Sequence, residues 1–207
     1  MDDDSLTISP PIYIVGMKIG CWRCGERMPV VAFLAPSVEG ADDQVCVLSD
    51  VVALPKDLLG YVQKRVPTYQ LSYSKTFQGK YYANVCAKCR MLSGDFFLHS
   101  EPGAPFFPTC AEEAGLLYLA EIPVQGPVRI RAGFHVGTGR MILKHAKRIP
   151  LTRTEHGPQT RMHLWARVPG RFRRAFEGSA SQNHSQSLGD ELQSRLMCCK
   201  CASLYLQ

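Results

Sequence analysis

The sequence lacks an apolar run that could cross a membrane. No stretch among its 207 residues approaches the roughly 18 consecutive apolar residues that a spanning helix needs. It begins Met1-Asp2-Asp3-Asp4, the opposite charge to the start of a secretory signal peptide. We therefore expect no membrane span, no signal peptide and a cytoplasmic location. Thiols stay reduced in that compartment, which favours metal binding over disulfides for those of the nine cysteines that occur in pairs.

A recognisable set of catalytic residues is also missing. Asp95, His99, Glu101 and His135 are scattered, with no spacing typical of a nucleophile and its base. Asp95 and His99 lie four residues apart, where a surface pair on a helix or support of a metal site is the simpler interpretation. The segment Gly137-Thr138-Gly139-Arg140 lacks the Lys-Ser/Thr ending of a phosphate loop. These absences favour a non-enzymatic protein.

Acidic residues are nearly absent from residues 128–176. This stretch has 12 basic residues and one acidic residue, a net charge of +11, whereas the whole chain has a net charge of +6. Such a concentration is typical of proteins that bind polyanions, and a solvated basic face is the alternative. DNA or RNA is the expected partner, with these candidate phosphate ligands: Arg129, Arg131, Arg140, Lys144, Lys147, Arg148, Arg171, Arg173 and Arg174.

Two Cys-x-x-Cys pairs are the strongest positive feature of the sequence. They comprise Cys21 with Cys24 and Cys86 with Cys89, and 61 residues separate the two pairs. The two-residue spacing lets a tight turn, called a knuckle below, direct both sulfurs at one ion. Two knuckles supply the four soft ligands of one structural Zn²⁺. The alternative is that these residues are buried cysteines or redox thiols.

The remaining cysteines do not follow this spacing. Cys198, Cys199 and Cys201 form a third thiol cluster near the C-terminus, and whether they bind a second metal is left open. We expect Cys46 and Cys110 to be buried hydrophobic residues rather than ligands.

Apolar patterning predicts an α+β fold with short antiparallel strands. We expect strands over 12–19, 29–34, 45–48, 81–85, 116–122 and 128–136. A helix is predicted over 55–66, and residues 141–143 suit either a strand or a short helix. In 128–136, apolar residues alternate with arginine, so that one face of the strand is apolar and the other is cationic.

The knuckles are predicted to organise a zinc-ribbon-like or treble-clef-like core with a long insert between them. In a ribbon both pairs lie at hairpin tips, whereas in a treble clef the helix predicted after residue 90 would begin within the second pair. The expected organisation is a disordered acidic N-terminus over 1–11 and a zinc-binding α+β domain over 12–150. A basic flexible arm over 151–187 and an amphipathic helix over 188–207 follow it.

Four segments resemble a group of uncharacterised bacterial zinc-ribbon proteins, a likeness that spans about residues 12–107. The segments are Cys21-Trp22-Arg23-Cys24-Gly25, Tyr73-Ser74-Lys75-Thr76, Ala83-Asn84-Val85-Cys86-Ala87-Lys88-Cys89 and residues 94–103. The resemblance implies a four-cysteine zinc site and no established activity. Those proteins usually have a glycine after the second pair, where this chain has Arg90.

Two hypotheses for function follow from these features. In the first, a zinc-stabilised core carries an arginine-rich region that binds nucleic acid. In the second, the zinc-stabilised domain is a protein–protein interaction module that binds no nucleic acid.

Overall fold

The computed structural model describes residues 5–149. The predictions for the 151–187 arm, for the 188–207 helix, for Arg171, Arg173 and Arg174, and for the third thiol cluster lie outside these residues. Within 5–149, no helix is long and apolar enough to span a membrane.

Eleven strands and four short helices make up the described part of the chain. The strands are β1 Leu6–Ser9, β2 Ile12–Gly20, β3 Arg27–Ala35, β4 Ser37–Val38, β5 Cys46–Ala53, β6 Tyr69–Ser74, β7 Gly79–Val85, β8 Leu92–Ser93, β9 Tyr118–Ile122, β10 Val128–His135 and β11 Lys147–Arg148. The helices are α1 Lys56–Arg65, α2 Asp95–His99, α3 Ala111–Ala114 and α4 Gly139–His145. The predicted α+β class is confirmed.

The strands form two sheets. The larger has the order β11-β9-β2-β3-β5-β10-β1-β4, and all its neighbours are antiparallel except β9 and β11. The smaller has the order β6-β7-β8 and is antiparallel throughout. The strand β2 extends the predicted 12–19 by one residue, whereas β3 has nine residues and extends the predicted 29–34 at both ends.

The central hairpin of β2 and β3 is buried on both faces. On one face Val31 and Phe33 pack in a cluster that includes Leu58 and Val62 of α1. On the other face Leu34 belongs to a second cluster, which includes the α2 residue Leu98 and the α4 residue Ile142. Burial on both sides explains why these strands read as nearly continuous apolar runs rather than as alternating patterns.

Several predicted elements are confirmed. The helix α1 forms between Pro55 and Val66, and its buried residues Leu58 and Val62 lie one turn apart. On β10, Ile130 is buried while Arg129 and Arg131 are exposed, as the alternation predicted. The open alternative at 141–143 is resolved as part of helix α4.

The predicted disorder of residues 1–11 is wrong for Leu6–Ser9. These residues form β1, which pairs with both β10 and β4, and Ile8 lies fully buried in the core. The acidic run that suggested disorder ends at Asp4, just before the strand begins. The partner strand β10 lies about 120 residues further along the chain, so local composition could not reveal the pairing.

Candidate metal centre

The first knuckle is the tip of the β2–β3 hairpin. Cys21 N–H donates to the Glu26 carbonyl oxygen at 2.8 Å, and Gly25 N–H donates to the Cys21 carbonyl oxygen at 2.9 Å. Gly25 has φ +70°, in the left-handed region that glycine adopts without a steric penalty. The glycine therefore lets the turn close around the two sulfurs.

The second knuckle, between β7 and β8, repeats this hydrogen-bond pattern. Cys86 N–H donates to the Met91 carbonyl oxygen at 2.8 Å, and Arg90 N–H donates to the Cys86 carbonyl oxygen at 3.0 Å. Arg90 occupies the position of Gly25 and has φ +62°. An arginine in this conformation is strained by about 1 kcal/mol or more. The missing glycine thus leaves the knuckle geometry intact and adds backbone strain.

Both knuckles therefore connect antiparallel strands, and the treble-clef alternative is wrong. The helix α2 begins at Asp95, after β8, so Cys86 and Cys89 lie outside it. Residues Leu92 and Ser93 pair with β7 instead of starting a helix. The N-terminus of α2 is therefore not the element that presents the second pair.

The structure brings the four predicted cysteines together. Cys21 Sγ lies 3.5 Å from Cys89 Sγ, and Cys24 Sγ lies 3.7 Å from Cys86 Sγ. All four sulfur atoms lie within 4.8 Å of one another. These separations greatly exceed the roughly 2.05 Å of a disulfide bond, and all four thiols are free. The cluster is therefore compact enough to bind one metal ion.

The four thiols divide into an inner and an outer pair. Cys21 and Cys86, the first cysteine of each knuckle, are buried in the apolar cluster that contains Leu98 and Phe106. Cys24 and Cys89 are only half-buried at the rim. An ion at the centre would therefore contact the hydrophobic core on one side and lie close to the surface on the other.

The electrostatics of the cluster suit a bound cation. The backbone N–H of Cys89 is the main cause that lowers the pKa of Cys86 to about 7. The Met91 N–H lowers the pKa of Cys89, but burial and the sulfurs of Cys24, Cys21 and Cys86 raise it to about 12 overall. Such opposite shifts arise because neighbouring thiols cannot all ionise without a cation to balance their charge.

A buried asparagine holds the two hairpins in register. Asn84 of β7 is 1% exposed; its Oδ1 accepts from Val31 N–H at 2.8 Å, and its Nδ2 donates to the Val31 carbonyl oxygen at 3.0 Å. The ladder between β3 and β5 covers only Phe33–Ala35, so Asn84 supplies the hydrogen bonds that a neighbouring strand would make to Val31. Because Asn84 lies two residues before Cys86, this contact positions the second knuckle beside the first.

Two surface contacts also join the knuckles. Trp22 Nε1 donates to the Leu92 carbonyl oxygen of β8 at 3.0 Å. Lys88 Nζ lies 3.7 Å from Glu26 Oε2, with both side chains largely exposed. An exposed ion pair of this kind contributes at most about 1 kcal/mol. The buried Asn84 amide is therefore the stronger of the links.

Sequence reasoning missed Asn84 and Trp22 as organising residues. A signal for Asn84 was present, since it is the only amide in the predicted strand 81–85, which leads into a knuckle, and buried amides need partners. Trp22 had no comparable signal. Its partner is a backbone carbonyl oxygen 70 residues away.

The structure places the described basic candidates in two separate regions. Arg129 and Arg131 are exposed on β10, whereas Arg140 and Lys144 are exposed on α4, and Lys147 and Arg148 on β11. In the large sheet β10 and β11 are separated by four intervening strands. The fold therefore does not gather all six residues at one position of the sheet.

Asp95 and His99 are buried rather than being the surface pair that the sequence suggested. Asp95 Oδ2 accepts from Asp50 N–H at 2.6 Å, and the Asp95 N–H donates to the Tyr81 hydroxyl oxygen at 3.2 Å. Burial raises the pKa of Asp95 to about 7. These contacts tie the start of α2 to β5 and β7.

His99 lies beside His135, which is distant in sequence. Their ring centroids are 5.4 Å apart, and His99 Nδ1 has no hydrogen-bond partner within residues 5–149. Burial, followed by the charge of His135, lowers the pKa of His99 to about 3. The ring is therefore neutral at pH 7 and packs against Phe106 as part of the core.

No protein-family model, curated protein or solved structure matches this chain. The resemblance to bacterial zinc-ribbon proteins therefore stays a prediction, and the function has to be argued from the geometry of the chain itself.

Replacing Asn84 by alanine is expected to weaken both the fold and metal binding. The change leaves the buried N–H and carbonyl oxygen of Val31 without partners, which should lower the free energy of unfolding by about 2–4 kcal/mol. Trp22→Phe, which removes only an exposed hydrogen bond, serves as the control and should cost less than about 1 kcal/mol. Urea denaturation measures the free energy of unfolding of each variant. Equal losses in the two variants would contradict the role given to Asn84.

The strain at the second knuckle predicts that Arg90→Gly and Gly25→Arg change the free energy of unfolding in opposite directions. Arg90→Gly should raise the free energy of unfolding by about 0.5–1 kcal/mol, because relief of strain outweighs the greater flexibility of the unfolded chain. Gly25→Arg should lower it by about 1–2 kcal/mol for the same steric reason. Chemical denaturation of the metal-loaded protein compares the two variants. A Gly25→Arg variant with a higher free energy of unfolding would contradict the conclusion that the two knuckles share one backbone conformation.

Asp95 and His99 predict opposing pH dependences. The raised pKa of Asp95 means that its contribution to stability is full below pH 4 and is lost as the pH rises towards 7. The lowered pKa of His99 has the reverse effect, since stability is lost as the pH falls from 6.5 towards 3. Between pH 4 and 6.5 the two slopes should largely cancel.

Asp95→Asn should unmask this compensation. Relative to the unmodified chain, the free energy of unfolding of the variant should rise by about 1.4 kcal/mol per pH unit between pH 5 and 7. Urea titrations at three pH values measure this difference, from which any shared effect of metal release cancels. A difference that does not change with pH would rule out a buried carboxyl with a raised pKa.

Proposed function

We propose that this chain is a zinc protein in which one structural Zn²⁺ links the two hairpins through Cys21, Cys24, Cys86 and Cys89. Four sulfurs about 2.3 Å from a tetrahedral ion lie about 3.8 Å from one another. The distances of 3.5 and 3.7 Å between the closest sulfur pairs agree with this value. This agreement is the observation that carries the proposal, and it supports a zinc-ribbon-like arrangement of the two hairpins.

The role proposed for the ion is structural rather than catalytic. Four protein ligands complete a tetrahedral coordination sphere and leave no position for water or substrate. Cys21 and Cys86 are themselves core residues, so binding of the ion is linked to packing of the core. The ion would also join two hairpins that are far apart in the chain.

We further propose that an exposed basic segment binds the phosphates of nucleic acid. We call it the α4–β11 basic segment, and it consists of Arg140, Lys144, Lys147 and Arg148. All four are exposed, and none forms an ion pair with a carboxylate within residues 5–149. Four cations within nine residues suit contacts to phosphates, which fix position without reading bases.

A protein-interaction module is the second candidate function. The helix α2 exposes two neighbouring aromatic side chains, Phe96 and Phe97, whose ring centroids are 5.6 Å apart. Exposed aromatic residues of this kind are enriched at protein interfaces. In this case partner binding should depend little on salt, whereas nucleic-acid binding should weaken steeply with salt.

Metal analysis of the purified full chain tests the zinc site. We expect one zinc per chain, and a loss of most of it in each of the variants Cys24→Ser and Cys89→Ser, which lie on different hairpins. Cys46→Ser is the control, because Cys46 lies outside the cluster and should leave the zinc content unchanged. Zinc that survives both knuckle substitutions, or iron in its place, would overturn the proposal.

A salt titration tests nucleic-acid binding independently. Binding of the full chain to random-sequence DNA and RNA should weaken as salt is raised. Lys144→Ala with Lys147→Ala should flatten the slope of log affinity against log salt by roughly 1–2. The matched control, Lys56→Ala with Lys64→Ala on α1, should leave it unchanged. If the chain does not bind nucleic acid at low salt, or if the two double lysine variants change the salt dependence equally, the nucleic-acid proposal is rejected. The zinc proposal is unaffected by either result.

A further inference from the structure

The outer edge of β6 is left unpaired by the smaller sheet. The order β6-β7-β8 makes β6 an edge strand. The Thr68 carbonyl oxygen accepts from Val85 N–H at 3.1 Å, and in an antiparallel ladder such bonded pairs recur at every second residue. The even-numbered residues of β6 therefore bond to β7, while the odd-numbered residues direct their backbone groups outwards.

Among residues 5–149, two of the three outward-facing residues of β6 have no partner for their backbone groups. Tyr69 is satisfied within the chain, since its N–H donates to Val66 and its carbonyl oxygen accepts from Gln63 Nε2, both at 3.0 Å. Leu71 and Tyr73 have no such partner among residues 5–149. Their side chains are 49% and 59% exposed. The edge thus offers two N–H groups, two carbonyl oxygens and two large apolar side chains.

The usual protection of an edge strand is absent from β6. Its sequence, Tyr-Gln-Leu-Ser-Tyr-Ser, contains no charged residue and no proline, and its register with β7 contains no bulge. Native proteins commonly use these devices to prevent pairing between edges. The end strands of the large sheet, β4 and β11, have only two residues each. The edge of β6 is therefore the better site for an added strand.

We propose that the β6 edge pairs antiparallel with β6 of a second copy of this chain. The register that uses every free group places Ser72 opposite Ser72 of the partner subunit, on the twofold axis. Leu71 then lies opposite Tyr73 of the partner subunit, and each exchanges N–H and carbonyl hydrogen bonds with the other. Symmetry repeats the pair, so all four free groups on each strand are satisfied by four hydrogen bonds.

The side chains on this edge favour a second copy as the occupant. In a symmetric antiparallel pair, a charged residue close to the twofold axis would lie near the same charge of the partner subunit. The β6 edge is uncharged and carries no such penalty. Leucine opposite tyrosine is also a favourable cross-strand pair, worth roughly 0.2–1 kcal/mol. A strand that carries a charge near the axis would fit a different partner better.

The same geometry limits the strength of the pairing. The internal partners of Tyr69 end the free edge on one side, so only two residues of each strand exchange hydrogen bonds. The resulting interface lies below the roughly 1,200 Å² of stable complexes. The dimer is therefore weak and depends on concentration, with dissociation in the range of about 10 µM to 1 mM.

Sedimentation velocity on the full, metal-loaded chain tests the proposal. The dimer fraction should rise over loadings of about 5–500 µM. Leu71→Lys with Tyr73→Lys should be monomeric, and so should Leu71→Glu with Tyr73→Glu. An equal mixture of these two variants should dimerise again, because each introduced lysine then lies opposite an introduced glutamate. Phe96→Lys with Phe97→Lys removes exposed aromatic area elsewhere and should leave dimerisation unchanged.

Amide hydrogen exchange provides a second readout that needs no variant. In the unmodified chain, exchange at Leu71 and Tyr73 should slow with rising concentration, while exchange at Lys75 should not change. A chain that stays monomeric throughout, including one that binds only an extended peptide of another protein, overturns the proposal. A dimer that survives the lysine variant with its metal content intact overturns it as well.

Discussion

Two hairpins of this chain meet at two sulfur pairs that are far apart in sequence. Each pair lies at a hairpin tip with the same two backbone hydrogen bonds, and the closest sulfurs come from different hairpins. Four thiols at such distances repel as they ionise, and a cation reverses that effect. The metal proposed at this point therefore links sequence-local turns to the long-range packing of the two sheets.

Hydrogen bonding and core packing support the same junction. Asn84 takes the place of a neighbouring strand for Val31, where β5 has left the ladder of β3. The inner sulfurs lie in the core beside Leu98, on a helix whose first residue, Asp95, is tied to β5. The knuckles are thus held by buried polar contacts as well as by apolar packing, which fits a structural role for the proposed ion.

The sequence predicted the features that local chemistry determines. The four cysteines, the helix α1 with Leu58 and Val62 inward, and the alternation around Ile130 all follow from short-range spacing. The features it missed need distant partners. The strand β1 forms because β10 offers it an edge, and His99 is neutral because His135 and Phe106 enclose it. The acidic start of the chain suggested disorder, and the four-residue spacing of Asp95 and His99 suggested a surface pair. Both predictions failed because neither pattern shows whether a residue is buried.

X-ray absorption at the zinc edge of the purified full chain shows whether the two hairpins bind the same ion. We expect four sulfur neighbours at about 2.3 Å, with no nitrogen or oxygen neighbour, and three sulfur neighbours for the residual zinc of a variant in which a single cysteine of either knuckle becomes serine. A coordination shell with only two sulfurs, or one that changes on substitution in one hairpin but not in the other, would show that the two hairpins do not share an ion.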